Sequence, residues 1–366
     1  MNLLSSSKSI LKVLSKEVQI DSTYFNIPKN ILEKIPCQLH RKENHPVNLI
    51  SKKIQCSLTD YVHLNDINPV VTKKENFDDL LFPYDHPGKS RSDTYYFSES
   101  HLLRTHTSAH QLKLLQQFDK FTLTADVYRK DQIDKTHYPI FHQMEGIKTF
   151  HKDMLMALKY CNDAFSEEQI MTQECHSVDE VKKVVTDLKS QLTAIIRNLY
   201  GDVETRWINT YFPFTQPSFE LEIKFRGEWL EVLGCGVIRQ EILNNAGKGH
   251  MIGWAFGIGL ERLAMSLFDV PDIRLFWSKD PRFMTQFERN GLKTKYQPFS
   301  SFPAITRDIS FFSPNSFPIP ENDLMDVVRN HGSDLVESVY KFDEFHHEKI
   351  NRKSFGYRIV YQSMER

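Results

Sequence analysis

The sequence is poor in cysteine and has no long apolar run. Its five cysteines, Cys37, Cys56, Cys161, Cys175 and Cys235, are odd in number and form no CxxC pair. That argues against a disulfide framework or a structural zinc site. No stretch of about 18 apolar residues occurs, so no segment reads as a membrane-spanning helix. Neither sign of charge is in excess: 46 Lys plus Arg against 47 Asp plus Glu leave a net charge of −1. This excludes a histone-like basic chain. The HExxH pattern of zinc helices is absent, and so is the GxGxxG dinucleotide fingerprint. What is there is globular: 40% hydrophobic and 25% charged residues, neither disordered nor collagen-like. A length of 366 residues predicts two or three domains.

The first sixteen residues, MNLLSSSKSILKVLSK, hold Lys8, Lys12 and Lys16, four serines before Ile10, and no acid before Glu17. Basic, serine-rich, acid-free and patchily apolar is the pattern of an organellar transit segment. The arginines usual in such segments are missing.

Hydrophobic spacing predicts one long helix from Val178 to Tyr200. Val181, Val185, Leu188, Leu192, Ile195 and Leu199 fall on one face, Ser177 and Glu180 form a capping box, and Gly201 is the stop. A second helix is predicted over about Asp153 to Phe165. Residues 123–128 and 219–225 alternate with period two and predict strands. Strands separated by a long helical excursion imply an antiparallel or mixed sheet in an α+β domain. Gly291 to Pro298 reads as a linker. Beyond it a small β-α-β-β unit is predicted, with its helix at about Glu321–Asn330 and strands at about Leu335–Phe342 and Ser354–Tyr361.

Four motifs carry candidate chemistry. In Asp126–Asp131 and Phe141–Gly146, an arginine at a strand end, Arg129, has the planar fork that grips phosphate. Gln143 and Glu145 share one strand face and could accept hydrogens from an ammonium group or an adenine amine. A plain surface strand pair is the competing reading. In Gly253–Met265, glycines spaced along a strand that runs into a helix let backbone approach a flat ligand, with Arg262 at the helix start. A sheet–helix packing junction would look the same. In Leu103–His110, His106 and His110 stand four apart without the glutamate of a zinc helix. His346 and His347, among Asp343, Glu344 and Glu348, read as a solvated turn. In Tyr211–Thr215, Phe212 and Phe214 share strand parity and line either a core or an aromatic pocket.

Taken in order, these segments resemble the class II aminoacyl-tRNA synthetases, and within them the single-chain, mitochondrial-type phenylalanyl-tRNA synthetases. His45-Pro46 before an apolar helix is similar to the family's first motif. LLRTHTSAHQ is similar to its substrate loop, and VYRKDQIDKTHYPIFHQMEG to its second motif. WLEVLGCGV and GWAFGIGLER are similar to its third, and FPAITRDISFF with SFGYRIVYQSMER to its ferredoxin-fold anticodon-binding domain.

The resemblance implies an α+β fold: an antiparallel class II sheet flanked by helices, with a C-terminal ferredoxin-like domain that stops short of its last helix and strand. It implies a transit segment and tail over residues 1–25, and a catalytic domain over 26–290 with a helical insertion at about 147–205. A linker over 291–297 and the small domain over 298–366 would follow. It implies ATP-dependent activation of phenylalanine and transfer to tRNA(Phe), with Mg²⁺, by a monomer in the mitochondrial matrix. By resemblance, Arg129 and Arg262 hold the α- and γ-phosphates and are catalytic, with His137, Phe141 and Glu231 as further ATP contacts. Glu231 is also the candidate Mg²⁺ ligand. His106, Ser108, Gln143, Glu145, Phe212, Phe214 and Ala255 would hold phenylalanine, with Ala255 at the pocket floor. The readings weighed against it are an adenylate-forming paralogue acting on another acceptor, a non-catalytic RNA-binding protein on the same scaffold, and a zinc hydrolase.

Overall fold

The computed structural model describes residues 8–157, 171–300, 302–313 and 319–364. The chain opens on a hairpin of β1 (Lys8–Val13) and β2 (Lys16–Asp21), followed by α1 (Lys29–Lys34) and α2 (Pro46–Gln55). Next come β3 (Val62–Leu64), β4 (Val70–Thr72), α3 (Lys73–Asn76), β5 (His101–Leu103) and α4 (Gln111–Leu115). Two long strands follow, β6 (Lys120–Tyr128) and β7 (Ile140–His151), and then α5 (Val178–Tyr200). Strands β8 (Thr205–Phe212), β9 (Thr215–Phe225) and β10 (Glu228–Ile238) lead through α6 (Gln240–Asn245) to β11 (Met251–Gly259), α7 (Leu260–Phe268) and α8 (Pro281–Asn290). The small unit holds β12 (Ile305–Phe312), α9 (Glu321–Gly332), β13 (Val336–His347) and β14 (Arg352–Tyr361).

Seven strands form the central sheet in the order β3-β6-β7-β11-β10-β9-β8. All pairs are antiparallel except β3 with β6. The predicted long helix is α5, with both halves of its Ser177–Glu180 capping box made. Its buried face, including Val181, Val185, Leu188, Leu192 and Ile195, lies on the sheet. Asp187 on α5 accepts bonds from Trp254 Nε1 at 2.8 Å and from Lys148 Nζ at 2.8 Å, tying the helix to β11 and β7. His45 explains the start of α2. Its Nδ1 accepts from the Val47 amide at 3.3 Å, and Pro46 takes a position where no N–H is needed. Its Nε2 then donates to the Phe276 carbonyl at 3.0 Å.

Several expectations need correction. Within the segment read as transit segment and tail, residues 8–21 form a hairpin. Val13 and Val18 bury in the main core, and the Asp21 amide bonds to the Phe97 carbonyl. The patchy apolar pattern is that of a strand pair; residues 1–7 lie outside the described residues. Of the helix predicted over about Asp153 to Phe165, the described part lies in a 3₁₀ turn, Lys152–Ala157, and the rest falls outside the described residues, among residues 158–170. Cys161 is among them. Strand β7 runs to His151, into the expected helical insertion. Strand β6, predicted from its alternation, is present and buried on both faces. Its polar face is satisfied internally, as by Ser51 Oγ to Thr124 Oγ1 at 3.0 Å. The supposed linker is not free: Thr294 and Tyr296 are buried, and the Tyr296 amide bonds to the Phe268 carbonyl.

The small unit has the expected β-α-β-β order, with sheet order β12-β14-β13. It sits on the loop joining β6 to β7. Ile133 of that loop packs into the small unit's core beside Met325, Val339 and Tyr357. Lys130 pairs with Asp323 and Asp326, Arg329 donates to the carbonyls of Asp131 and Gln132, and Tyr138 donates to Asp334 at 2.6 Å.

Candidate active site

The strand register builds the floor of a cavity. Phe141, Gln143 and Glu145 project from one face of β7. Phe141 pairs with Val127, two residues before Arg129, while Gln143 faces Gly259 and Glu145 faces Gly257 on β11. Gly257 in turn faces Gly234 on β10. The floor thus runs from the two arginines, past Gln143 and Glu145, to Ala255. A Cβ at Gly257 or Gly259 would meet no atom within 4 Å, so both glycines leave open space above the backbone for a bound group. A Cβ at Gly234 would come 2.7 Å from the Phe212 ring, so that glycine is required by the wall.

All twelve residues proposed from sequence as contacts line this one cavity of about 950 Å³. That volume is at the upper end of the range for small-molecule sites. Arg129 donates Nε to the Thr105 carbonyl at 2.7 Å, and its guanidinium lies 5.3 Å from the Phe141 ring centre. One edge of its fork is thereby fixed, and burial lowers its pKa, though a guanidinium stays charged in proteins. Arg262 is half-exposed at the start of α7, with Nη1 3.3 Å from the Glu231 carbonyl and 3.6 Å from its carboxylate. His137 sits at the margin, its Nδ1 2.7 Å from Asp134.

The opposite end is drier. Glu145 is buried, and burial pushes its pKa from 4.5 up to about 8 against opposing bonds from Ser108 and Thr107. Gln143 Oε1 accepts from the Thr107 amide at 3.3 Å. His106 is held near a pKa of 3, first by burial and then by the Arg129 charge, so it is a neutral imidazole. The Asn76 backbone acts weakly in the opposite direction, and neither ring nitrogen makes a regular hydrogen bond among the described residues, an arrangement that costs energy unless a ligand supplies one. Phe212 and Phe214 stack at 5.8 Å and 12°. Strand parity is not the reason, which corrects the sequence argument. Phe212 ends β8, Phe214 lies in the hairpin turn, and the turn itself brings the rings together.

Arg104 was not foreseen as part of this architecture. Buried, it donates to the Asp126 carbonyl and carboxylate, the Ile67 and Asn68 carbonyls and His110. It therefore locks the loop bearing His106 and Ser108 onto β6. His110 serves this lock rather than pairing with His106 on a metal. Asn76 pins the same loop through both the amide and hydroxyl of Thr105. Arg104 stands in the Leu103–His110 motif, but nothing in the linear sequence marks its partners on β6 or marks Asn76 as a partner of that loop.

Residues 32–172 and 160–287 match the family model for the tRNA synthetases class II core domain (F), and residues 300–366 match that for the ferredoxin-fold anticodon binding domain. The chain is 47% identical over 377 residues to the mitochondrial phenylalanine–tRNA ligase of Mus musculus, covering 98% of this chain and 83% of that protein. The chain belongs to the class II synthetases, in the phenylalanine–tRNA ligase family. The Dictyostelium discoideum mitochondrial member is 46% identical, over 93% of this chain and 83% of that protein. The Saccharomyces cerevisiae one is 41% identical, over 98% and 91%. A class II synthetase consumes ATP, and the cavity's two arginines and open glycine floor suit a triphosphate. No helix among the described residues is long and apolar enough to cross a membrane.

Proposed function

We propose that the protein is a mitochondrial phenylalanine–tRNA ligase, acting in the matrix as a monomer on phenylalanine, ATP and tRNA(Phe). The observation that carries this reading is the polarity of the cavity: guanidinium groups at one end, a buried glutamate and paired aromatic rings at the other. In the first step a carboxylate oxygen of phenylalanine attacks the α-phosphorus, forming the P–O bond of the adenylate as pyrophosphate leaves. No general base is needed, because the carboxylate is already ionised at pH 7. Arg129 holds the α-phosphate and Arg262 the γ-phosphate, so the chain's task is positioning and neutralising charge on phosphorus. His137 and Phe141 flank the nucleotide. In the second step the 2′-hydroxyl of the terminal ribose attacks the adenylate carbonyl and AMP leaves.

The donor set fits Mg²⁺ carried by the nucleotide. This ion takes one or two carboxylates and completes its shell with phosphate and water oxygens. Glu231, next to Arg262, is the carboxylate that would hold it, and the ion would neutralise charge on the phosphates.

Glu145, Gln143, His106 and Ser108 would hold the ammonium and carboxylate groups, with Phe212 and Phe214 against the ring. Ala255 is buried at the floor, packed in a cluster that includes Phe214. Ala255→Gly is expected to admit para-chlorophenylalanine, because one methyl group sets the depth; steric steps of this size are worth about 10–200-fold in selectivity. An amino-acid panel in ATP–pyrophosphate exchange checks this, and unchanged selectivity would remove Ala255 from the pocket floor. The reading as a whole is tested by charging mitochondrial and cytosolic tRNA with phenylalanine. Adenylate formation without transfer to either would leave an adenylate-forming protein with another acceptor.

A further inference from the structure

We propose that Phe82 is a specificity and positioning residue for the amino-acid substrate: its ring sets the plane of His106 and closes the aromatic wall begun by Phe212 and Phe214. The proposal rests on the phenylalanine-ligase reading and adds a residue to it.

The backbone delivers this ring deliberately. Leu81, just before it, adopts φ 61°, the left-handed region that bulky side chains avoid. The turn is held by the Phe82 amide bonding to the Phe77 carbonyl at 3.1 Å. Lys89 Nζ bridges the Phe82 carbonyl at 3.3 Å and the Asp78 carboxylate at 3.1 Å. Leu80, two residues before Phe82, is anchored in the cluster that contains Ala255.

At the cavity the Phe82 ring lies parallel to His106, 5.6 Å between centres and 4° between planes. It meets Phe214 at 6.0 Å and 37°, and lies roughly perpendicular to Phe77 at 5.6 Å and to His86 at 4.8 Å. Among the described residues neither His106 ring nitrogen makes a regular hydrogen bond, and of backbone groups only that of Asn76 lies close enough to act on the ring. Its orientation therefore depends on ring faces, and Phe82 supplies the parallel one; the Phe214 ring is more distant at 6.4 Å and tilted by 33°. Rotating the imidazole would swing both ring nitrogens away from the positions they offer to a ligand. A leucine at position 82 would keep apolar bulk but present no flat face, whereas a tyrosine would keep the face.

The test is steady-state ATP–pyrophosphate exchange with Phe82→Leu and Phe82→Tyr in the full chain. Phe82→Leu is expected to raise KM for phenylalanine about tenfold, the scale of one or two aromatic contacts, with KM for ATP held within about twofold of wild type. Phe82→Tyr is expected to stay within about threefold of wild type for phenylalanine. If Phe82→Leu behaves as wild type, or raises both KM values together, the ring is mere packing and the proposal falls. It falls equally if Phe82→Tyr is as impaired as Phe82→Leu. A wild-type chain with no phenylalanine-dependent exchange would instead overturn the ligase reading.

Discussion

Arg129→Ala is expected to reduce phenylalanine-dependent ATP–pyrophosphate exchange by about 10³-fold or more, the scale on which enzymes lose rate when a guanidinium facing a reacting phosphoryl group is removed. The geometry makes the loss specific. Arg129 uses Nε on the Thr105 carbonyl and lies against Phe141, and its guanidinium makes no other hydrogen bond among the described residues. Its terminal nitrogens are thus the part of the fork that can meet a phosphate. Truncation costs the fold one bond to a carbonyl, so the thermal midpoint should move by a few degrees at most. Arg129→Lys should not restore the rate, since a lysine cannot both hold the Thr105 carbonyl and present a planar pair of donors. Near-normal exchange in Arg129→Ala would remove this residue from the α-phosphate.

How much of this was legible in the sequence depends on whether the signal is local. Helix α5 was readable because its capping box and its apolar face repeat within the segment. The small unit's β-α-β-β order was readable for the same reason. The cavity residues were legible as motifs, and the sheet register then brought the separate segments to one face. What stayed hidden depends on contacts between distant segments. The hairpin at residues 8–21 reads as a transit segment until its partners near Asn68 and Phe97 are in place. Phe82 becomes a wall residue only once the Leu81 turn and His106 meet. The C-terminal segment from Tyr296 carries more acids than lysines and arginines. In the structure Asp323, Asp326, Asp334 and Glu337 face Lys130, Lys34 and Lys135 of the body. Those acids serve an internal contact, so the segment's net charge does not describe its free surface.

The second large effect belongs to Glu145, and it has opposite signs for function and stability. With its pKa raised from 4.5 to about 8, the buried carboxyl of the empty cavity is largely protonated at pH 7. Binding an ammonium group would require it to ionise, so phenylalanine binding would release a proton. KM for phenylalanine should therefore fall as pH rises toward 8, by up to about tenfold per unit. Glu145→Gln removes the charge that answers the ammonium group. It should raise KM for phenylalanine by about 10²-fold, in line with breaking a buried charged hydrogen bond, and should flatten that pH dependence. For stability the folded state binds the proton more tightly than the unfolded chain. The resulting stabilisation is fully present below pH 4.5 and is lost as pH rises to about 8. Between pH 5 and pH 8 the wild type should lose on the order of 3 kcal/mol from this group, whereas Glu145→Gln should not. Urea unfolding of the two proteins at both pH values, without amino acid, reads the difference. Parallel pH profiles would mean that Glu145 is ionised in the empty site, and the proton-release account of phenylalanine binding would then be wrong.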